Sequence, residues 1–514
     1  MTTQQENTKR IAKNTLMLYV RMLFSMLVSL YTSRVVLQAL GVEDYGIYNV
    51  VGGVVAMFSL LSGSLSAAVS RFLTFELGRK DVERLKRVFS SALYVHALLA
   101  LVVLILSETI GLWFLNYKMN IPADRMVAAN WVFQFSIFSF ILGLFSVPYN
   151  ASIVSHERMG IFAFVGIGDS ILQLGIVLLI AYGGIPADRL ILYSGLLVVK
   201  GLLFQLFYFY YCRRSFEECR FRLQLDKPLL KEMTGFAGWN FIGASSAVLR
   251  DQGGNILLNL FYGPALNAAR GIANQVNNAI GAFVGNFMVA LNPQITKSYA
   301  AAEYEYTFSL IFKGARFSFY LLLWLALPIL LNTQYILSLW LNVVPDHTVF
   351  FVQLVLVFSM CEAISNPLIT VMLATGKIRN YQIIVGGLQM MNFPLSYLFL
   401  KIGFLPEVVV MIAITLSIIC LVARLIMLRS MIQLPIARFL HNVCGRILLV
   451  TILSVTVPLF THWKLPTNLY GFIISCLVCL VWTAAILFIF GCSVSERKFL
   501  TGKLQALSTK WLNQ

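Results

Sequence analysis

The chain has 514 residues, 59% of them hydrophobic and 12% charged, with a mean hydropathy of +0.80. A soluble domain carries about 25% charged residues, so a soluble enzyme, a disordered chain and a secreted protein are excluded. The formal charge of +17 does not imply nucleic acid, because membrane proteins gather Lys and Arg in their cytoplasmic segments on insertion.

Met1–Lys13 is polar and precedes a full-length apolar span, a pattern without a cleavable signal. Crossing a bilayer takes about 20 apolar residues. That length predicts fourteen spans: 15–38, 46–74, 90–115, 127–149, 162–182, 190–211, 235–261, 271–294, 309–331, 350–373, 382–400, 408–428, 447–461 and 469–491, the thirteenth being short. The fold class is all-α polytopic. With the N-terminus inside, the inner segments hold 27 Lys and Arg, counting Lys313 and Arg316 at the inner end of the ninth span, and the outer ones 6, which puts both termini in the cytoplasm of a multi-pass plasma (inner) membrane protein. Beyond the last span, Ser493-Val-Ser-Glu496 reads as a capping box. Leu500, Leu504, Leu507 and Trp511 then follow at helical spacing, as in a helix lying on the membrane surface. Cys476 and Cys479 form a CxxC inside an apolar run with no second ligand pair, so packing is expected there rather than a metal.

A weak internal repeat is visible. Ser146-Val-Pro148 in the fourth span matches Ser365-Asn-Pro367 in the tenth, at an offset of 219. Two six-helix lobes related by a pseudo-two-fold along the membrane normal, plus two C-terminal helices, are therefore expected. The lobes would cover 1–212 and 234–428, joined by a cytoplasmic linker at 213–233, with helices 13 and 14 in 429–491 and the amphipathic tail in 492–514. A shorter repeat, Ile121-Pro-Ala-Asp-Arg125 and Ile185-Pro-Ala-Asp-Arg189, precedes two spans and reads as helix capping.

Four spans carry polar faces at 100° per residue. The first aligns Asn14, Arg21, Ser25, Ser29 and Thr32; the second aligns Ser59, Ser62, Ser66 and Ser70. The seventh aligns Asn240, Ser246 and Arg250; the eighth aligns Arg270, Asn274, Asn277, Asn278 and Asn292. Small residues alone would indicate close helix packing, but amides and guanidinium groups are costly against lipid. A water-filled cavity shared by both lobes is the expected reason. Within spans, Arg21, Arg250, Asp169 and Glu362 each cost roughly 2.5–3.5 kcal/mol to insert unless hydrated or paired. The alternative for Arg250 is an ion pair with adjacent Asp251, although neighbouring side chains diverge by about 100°. Arg71, Lys200 and Arg424 are expected to snorkel to an interface, and Arg34 to be neutralised by Glu43 or Asp44. The guanidinium fork matches phosphate. Arg21, Ser25, Arg250, Arg270, Asn274, Asn277 and Asn278 are therefore the candidate substrate-binding residues, with Asp169 and Glu362 as candidate coupling acids. No metal ligand set or cofactor is expected; a proton or sodium gradient is what those acids would serve.

The segment from Ser33 to Tyr48, containing Arg34, Gly41, Glu43, Tyr45, Gly46 and Tyr48, resembles the first-loop signature of Wzx-type polysaccharide-repeat flippases of the multidrug/oligosaccharidyl-lipid/polysaccharide exporter superfamily. Gly41 and Gly46 would frame a tight turn there. The resemblance implies a flippase that carries undecaprenyl-diphosphate-linked oligosaccharide (O-antigen, capsule or exopolysaccharide units) across the inner membrane by alternating access. Lipid-linked oligosaccharide, membrane lipid and polysaccharide polymerase machinery are its implied partners. The family often has a proline ahead of the signature; Tyr31-Thr-Ser-Arg34 has none. A drug/cation antiporter of the same superfamily is one alternative, and an integral-membrane glycosyltransferase or polysaccharide polymerase is another. The outer loops are short, the longest being 332–349, which leaves little room for an enzyme site.

Overall fold

The structure is a computed structural model that describes residues 3–56, 58–117, 121–220, 226–262, 264–340, 344–466, 468–493 and 496–497. No strand occurs among them. An apolar solvent obliges each segment to satisfy its own N–H and C=O groups, and a helix does so unaided. The helices are α1 Thr3–Ala56, α2 Ser59–Arg79, α3 Val82–Tyr117, α4 Ala123–Ser155, α5 Met159–Tyr182 and α6 Arg189–Ser215. Next come α7 Lys227–Tyr262, α8 Pro264–Ala300, α9 Tyr304–Leu331 and α10 Thr333–Trp340. The series ends with α11 Thr348–Thr375, α12 Arg379–Ile402, α13 Val408–Ile432, α14 Ile436–Lys464 and α15 Leu469–Gly491.

Ten of the described helices, α3–α6, α9 and α11–α15, are long and apolar enough to cross a membrane. The chain is a multi-pass membrane protein. The four other expected spans fall on α1, α2, α7 and α8, the helices with polar faces. The thirteenth span is not short: α14 is 29 residues long, because a π-turn at Leu440–Gly445 continues it through His441 and Asn442. Helix α1 is broken at Gly41, whose φ of 81° and ψ of 167° suit glycine alone. The signature therefore holds a single break at Gly41 with helix on both sides, not a tight turn framed by Gly41 and Gly46, because Gly46 lies within helix.

Two compact units emerge. The first comprises the chain up to Ser245 together with Val289–Glu303; the second comprises Ser246–Met288 and the chain from Tyr304 onward. In the first, α1 packs on α5, α4 on α6 and α2 on α4, around a core that includes Val51, Val132, Phe133, Ile137 and Leu190. Buried Glu157 explains why the end of α8 belongs here. Its carboxylate, 1% exposed in the turn between α4 and α5, pairs with Arg10 Nε at 2.9 Å and Lys297 Nζ at 2.7 Å. It also accepts from Gln294. In the second unit α9 packs on α11, α11 on α13 and α14 on α15.

The two units repeat a hydrogen-bond pattern. Ser146 donates to Gln205 at 2.6 Å, and Arg424 donates to Ser365 at 2.9 Å; both pairs are 59 residues apart. Arg125, at the start of α4, donates to Asp188, the N-cap of α6, at 2.6 Å. His347, the N-cap of α11, lies 2.6 Å from Glu407, the N-cap of α13.

The Ile-Pro-Ala-Asp-Arg repeat does more than cap. Asp188 does accept from the N–H groups of Leu190 and Ile191, but no side chain caps the helix after Arg125. Arg125 instead also grips Asp44 through Nη2 at 2.6 Å and Nε at 2.8 Å, and Arg189 donates to Ala39 O at 2.9 Å. Asp44, expected beside Arg34, is committed to Arg125; the side chains of Arg34, Glu43 and Tyr45 lie outside the described residues. The two motifs therefore clamp both sides of the Gly41 break. Past α15, the Ser493 N–H donates to Glu496 and the Glu496 N–H to Ser493, the expected capping box. The amphipathic tail beyond Arg497 lies outside the described residues.

Gly41→Ala should cost about 1–3 kcal/mol, read as a lower thermal midpoint in detergent. Burial alone would raise the Asp188 carboxyl, but Arg125 and the N–H groups of Ile191 and Leu190 outweigh it and hold the group below its ordinary range. Such a carboxylate stabilises the fold above about pH 4 and loses that contribution as pH falls through its lowered value. The midpoint should therefore fall on acidification below about pH 4, and Arg125→Ala should flatten that limb.

Candidate functional site

In the first unit, α1, α5 and α6 enclose a cavity of about 620 Å³ lined by Arg21, Ser25, Ser29, Thr32, Tyr48, Asp169, Ser170, Gln173, Tyr193 and Lys200, among others. The polar face of α1 supplies the first four of these at helical spacing. Their hydroxyls and guanidinium are accommodated because the facing wall is also polar. Ser170 donates to Ser25 at 2.8 Å. Gln173 donates to the Tyr193 hydroxyl at 3.1 Å, and the rings of Tyr48 and Tyr193 meet edge-on at 5.1 Å.

Arg21 lies over the Phe162 ring at 4.7 Å. It runs so close to α5 that a Cβ on Gly166 would stand 2.5 Å from its Cδ. Glycine at 166 is what lets this long side chain lie along the helix instead of being driven off it. Lys200 was expected to snorkel; it points into the cavity instead, with Nζ 2.9 Å from Asp169 Oδ1 and 3.0 Å from Gln173 Oε1. Arg21, Lys200 and Asp169 together carry a net charge of +1, set among hydroxyls, an amide and two phenols. Such a lining suits an anion bearing hydroxyl groups.

Three of the candidate residues, Arg21, Ser25 and Asp169, thus share one cavity, and Tyr48 of the signature joins them. The sequence signal that would have found Lys200 is its charge deep in an apolar span, 27 residues from Gln173 and 31 from Asp169.

The other candidates belong to the second unit. Arg250 Nε pairs with Asp251 Oδ1 at 2.9 Å, realising the neighbour ion pair despite the divergence of adjacent side chains, and stacks on Phe358 at 4.9 Å. Arg270 is 7% exposed and packs on Gly254; its Nε and Nη1 make no hydrogen bond among the described residues. Asn277 accepts from Ser359 at 2.5 Å, Asn274 is half-buried and Asn278 is exposed. Glu362 accepts from Ser417.

Two more arginines depart from the snorkelling expectation. Arg424 is 1% exposed and held by Ser365. Arg71 sits among the rings of Phe72, Phe75 and Phe236 at 4.5, 4.7 and 5.6 Å, where the ring faces attract the cation. All eight cysteines are free thiols, and no metal-holding cluster of His, Cys, Asp and Glu occurs among the described residues.

The fold is that of the MATE transporters. An outward-facing multidrug resistance MATE family transporter of the MOP superfamily superposes with a TM-score of 0.72 at 14% identity, covering 82% of this chain and 95% of that one. A MATE transporter in its straight conformation gives 0.71 at 14% identity, over 83% and 97%. The MATE transporter ClbM in complex with Rb+ gives 0.63 at 14% identity, over 80% and 94%. In sequence the chain is 22% identical over 284 residues to the uncharacterized membrane protein EpsK of Bacillus subtilis (strain 168), 55% of this chain. The match spans 56% of that protein, about half its length. No family model matches.

Gly166→Ala must push Arg21 off its course and should cost about 1–3 kcal/mol, read as a lower thermal midpoint in detergent. Gly168→Ala, which meets only Phe204 at 3.8 Å, should leave the midpoint unchanged.

Proposed function

We propose that the chain is a flippase carrying lipid-linked oligosaccharide through its diphosphate, by alternating access, for surface polysaccharide synthesis. The observation that carries the reading is the cavity of the first unit. There Arg21 stands among hydroxyls while the one acid of the lining, Asp169, is already neutralised by Lys200. A guanidinium fork binds phosphate oxygens in pairs, and serine, threonine and tyrosine hydroxyls with the Gln173 amide suit sugar hydroxyls. The signature resemblance at 33–48 points the same way. The sugar would be delivered from the cytoplasmic leaflet, with both termini inside, by a chain of fourteen spans in two lobes. In the second unit Arg250, Arg270, Asn274, Asn277 and Asn278 are proposed to serve the same substrate.

A drug/cation antiporter is the second reading, and the fold supports it equally, since multidrug transporters share it. A cationic substrate would need an unpaired acid, and the Lys200–Asp169 pair weighs against that. The same pair leaves Glu362 as the acid that a proton or sodium gradient would act on.

The test is translocation of undecaprenyl-diphosphate-linked oligosaccharide by the purified chain in proteoliposomes. Arg21→Ala should slow it by roughly 10- to 100-fold, Arg250→Ala should slow it as well, and Arg21→Lys should restore part. Full transport by the double Ala variant, or efflux of a cationic dye with no lipid turnover, would overturn the reading. Collapse of the proton and sodium gradients should slow transport, and Glu362→Gln should abolish that sensitivity.

A further inference from the structure

Lys200 had no place in the expected site, and its surroundings give it one. Its side chain is 16% exposed, whereas that of Asp169, its partner at 2.9 Å, is 48% exposed. The ammonium is therefore the fixed member of the pair. Gln173 holds it from a second side at 3.0 Å and is itself tied to the Tyr193 hydroxyl at 3.1 Å. The carboxylate faces the cavity and is the member free to leave. All four residues line the same cavity as Arg21.

We propose that Lys200 is a second phosphate-binding cation and that Asp169 is its resident counterion, displaced when a phosphate group occupies the cavity. The proposal rests on the diphosphate reading given above and names the residue that completes it.

An ammonium so largely withdrawn from solvent needs an anion or strong acceptors at all times. In the ligand-free cavity Asp169 supplies the charge. A phosphate oxygen offers the same charge at the same distance, and the displaced carboxylate, already half-exposed, loses little on turning into cavity water. Lysine carries three donors. One stays on Gln173, and two are left for phosphate oxygens while Arg21 takes the others. Exchange of one anion for another keeps the net affinity moderate, which a carrier needs in order to release its load. Asp169 on this account tunes affinity and is no coupling acid.

The experiment uses the full chain purified in detergent, titrated calorimetrically with inorganic pyrophosphate and, in a second arm, with farnesyl diphosphate. Lys200→Met should weaken pyrophosphate roughly tenfold or more, and Lys200→Arg should stay within a few-fold of the unsubstituted chain. Asp169→Asn removes the competitor and should tighten binding several-fold; it keeps Lys200 on Gln173, so it reports even where Lys200→Met fails to fold. Undiminished affinity in Lys200→Met, or no tightening in Asp169→Asn, overturns the proposal. Tighter binding of farnesyl diphosphate than of pyrophosphate, lost in Lys200→Met, assigns the site to a lipid-borne phosphate; equal binding assigns it to a free one.

Failure here is separable from failure of the functional reading. Transport of lipid-linked oligosaccharide with pyrophosphate binding indifferent to Lys200 sinks the Lys200 assignment alone. The expected binding pattern without transport keeps the phosphate site and sinks the lipid-carrier reading.

Discussion

A charged side chain among apolar helices must be hydrated, paired, hydrogen-bonded or laid on an aromatic face, and much of this structure follows from how each cation meets that demand. Lys200 pairs with Asp169 at a cavity wall, and Arg125 bridges Asp44 and Asp188. Arg71 lies among three phenylalanine rings. Arg424 is buried on Ser365. Each solution joins helices that apolar packing alone would leave free to slide, because lipid tails compete on equal terms with leucine. Polar contacts thus fix register where hydrophobic burial cannot.

The clamp around Gly41 shows the same economy of means. One residue breaks α1 by taking a backbone conformation open to glycine. Arg125 and Arg189, from two copies of one short motif, hold the chain on either side of that break. In the second unit the corresponding N-cap pair is His347 with Glu407. The base differs between the two pairs, arginine in one unit and histidine in the other.

Much of the cavity was legible beforehand. Arg21 and Ser25 lie on one helical face, and a 3.6-residue period is enough to group them. Asp169 stood out as a charge inside an apolar span. What periodicity could not supply was the partner. Pairing across helices depends on which faces meet, and Lys200, Arg71 and Arg424 are each long enough either to reach an interface or to fold inward. Arg250 misled in the opposite direction: adjacent side chains diverge on an ideal helix, yet a flexible arginine bent back to reach Asp251. The thirteenth span looked short because His441 and Asn442 interrupt its hydropathy, while a π-turn lets the backbone run through them.

Composition and apolar run length by themselves determined an all-helical, multi-pass membrane chain, because an apolar solvent leaves a single-chain segment few other ways to satisfy its backbone. Pattern alone also marked the polar faces and the capping box, since both are local in sequence. Only the tertiary structure decided which acid neutralises which base, that Asp44 belongs to Arg125, and that Lys200 shares a cavity with Arg21. Those choices turn on distances between residues tens to more than a hundred positions apart, which helix packing sets and no local period encodes.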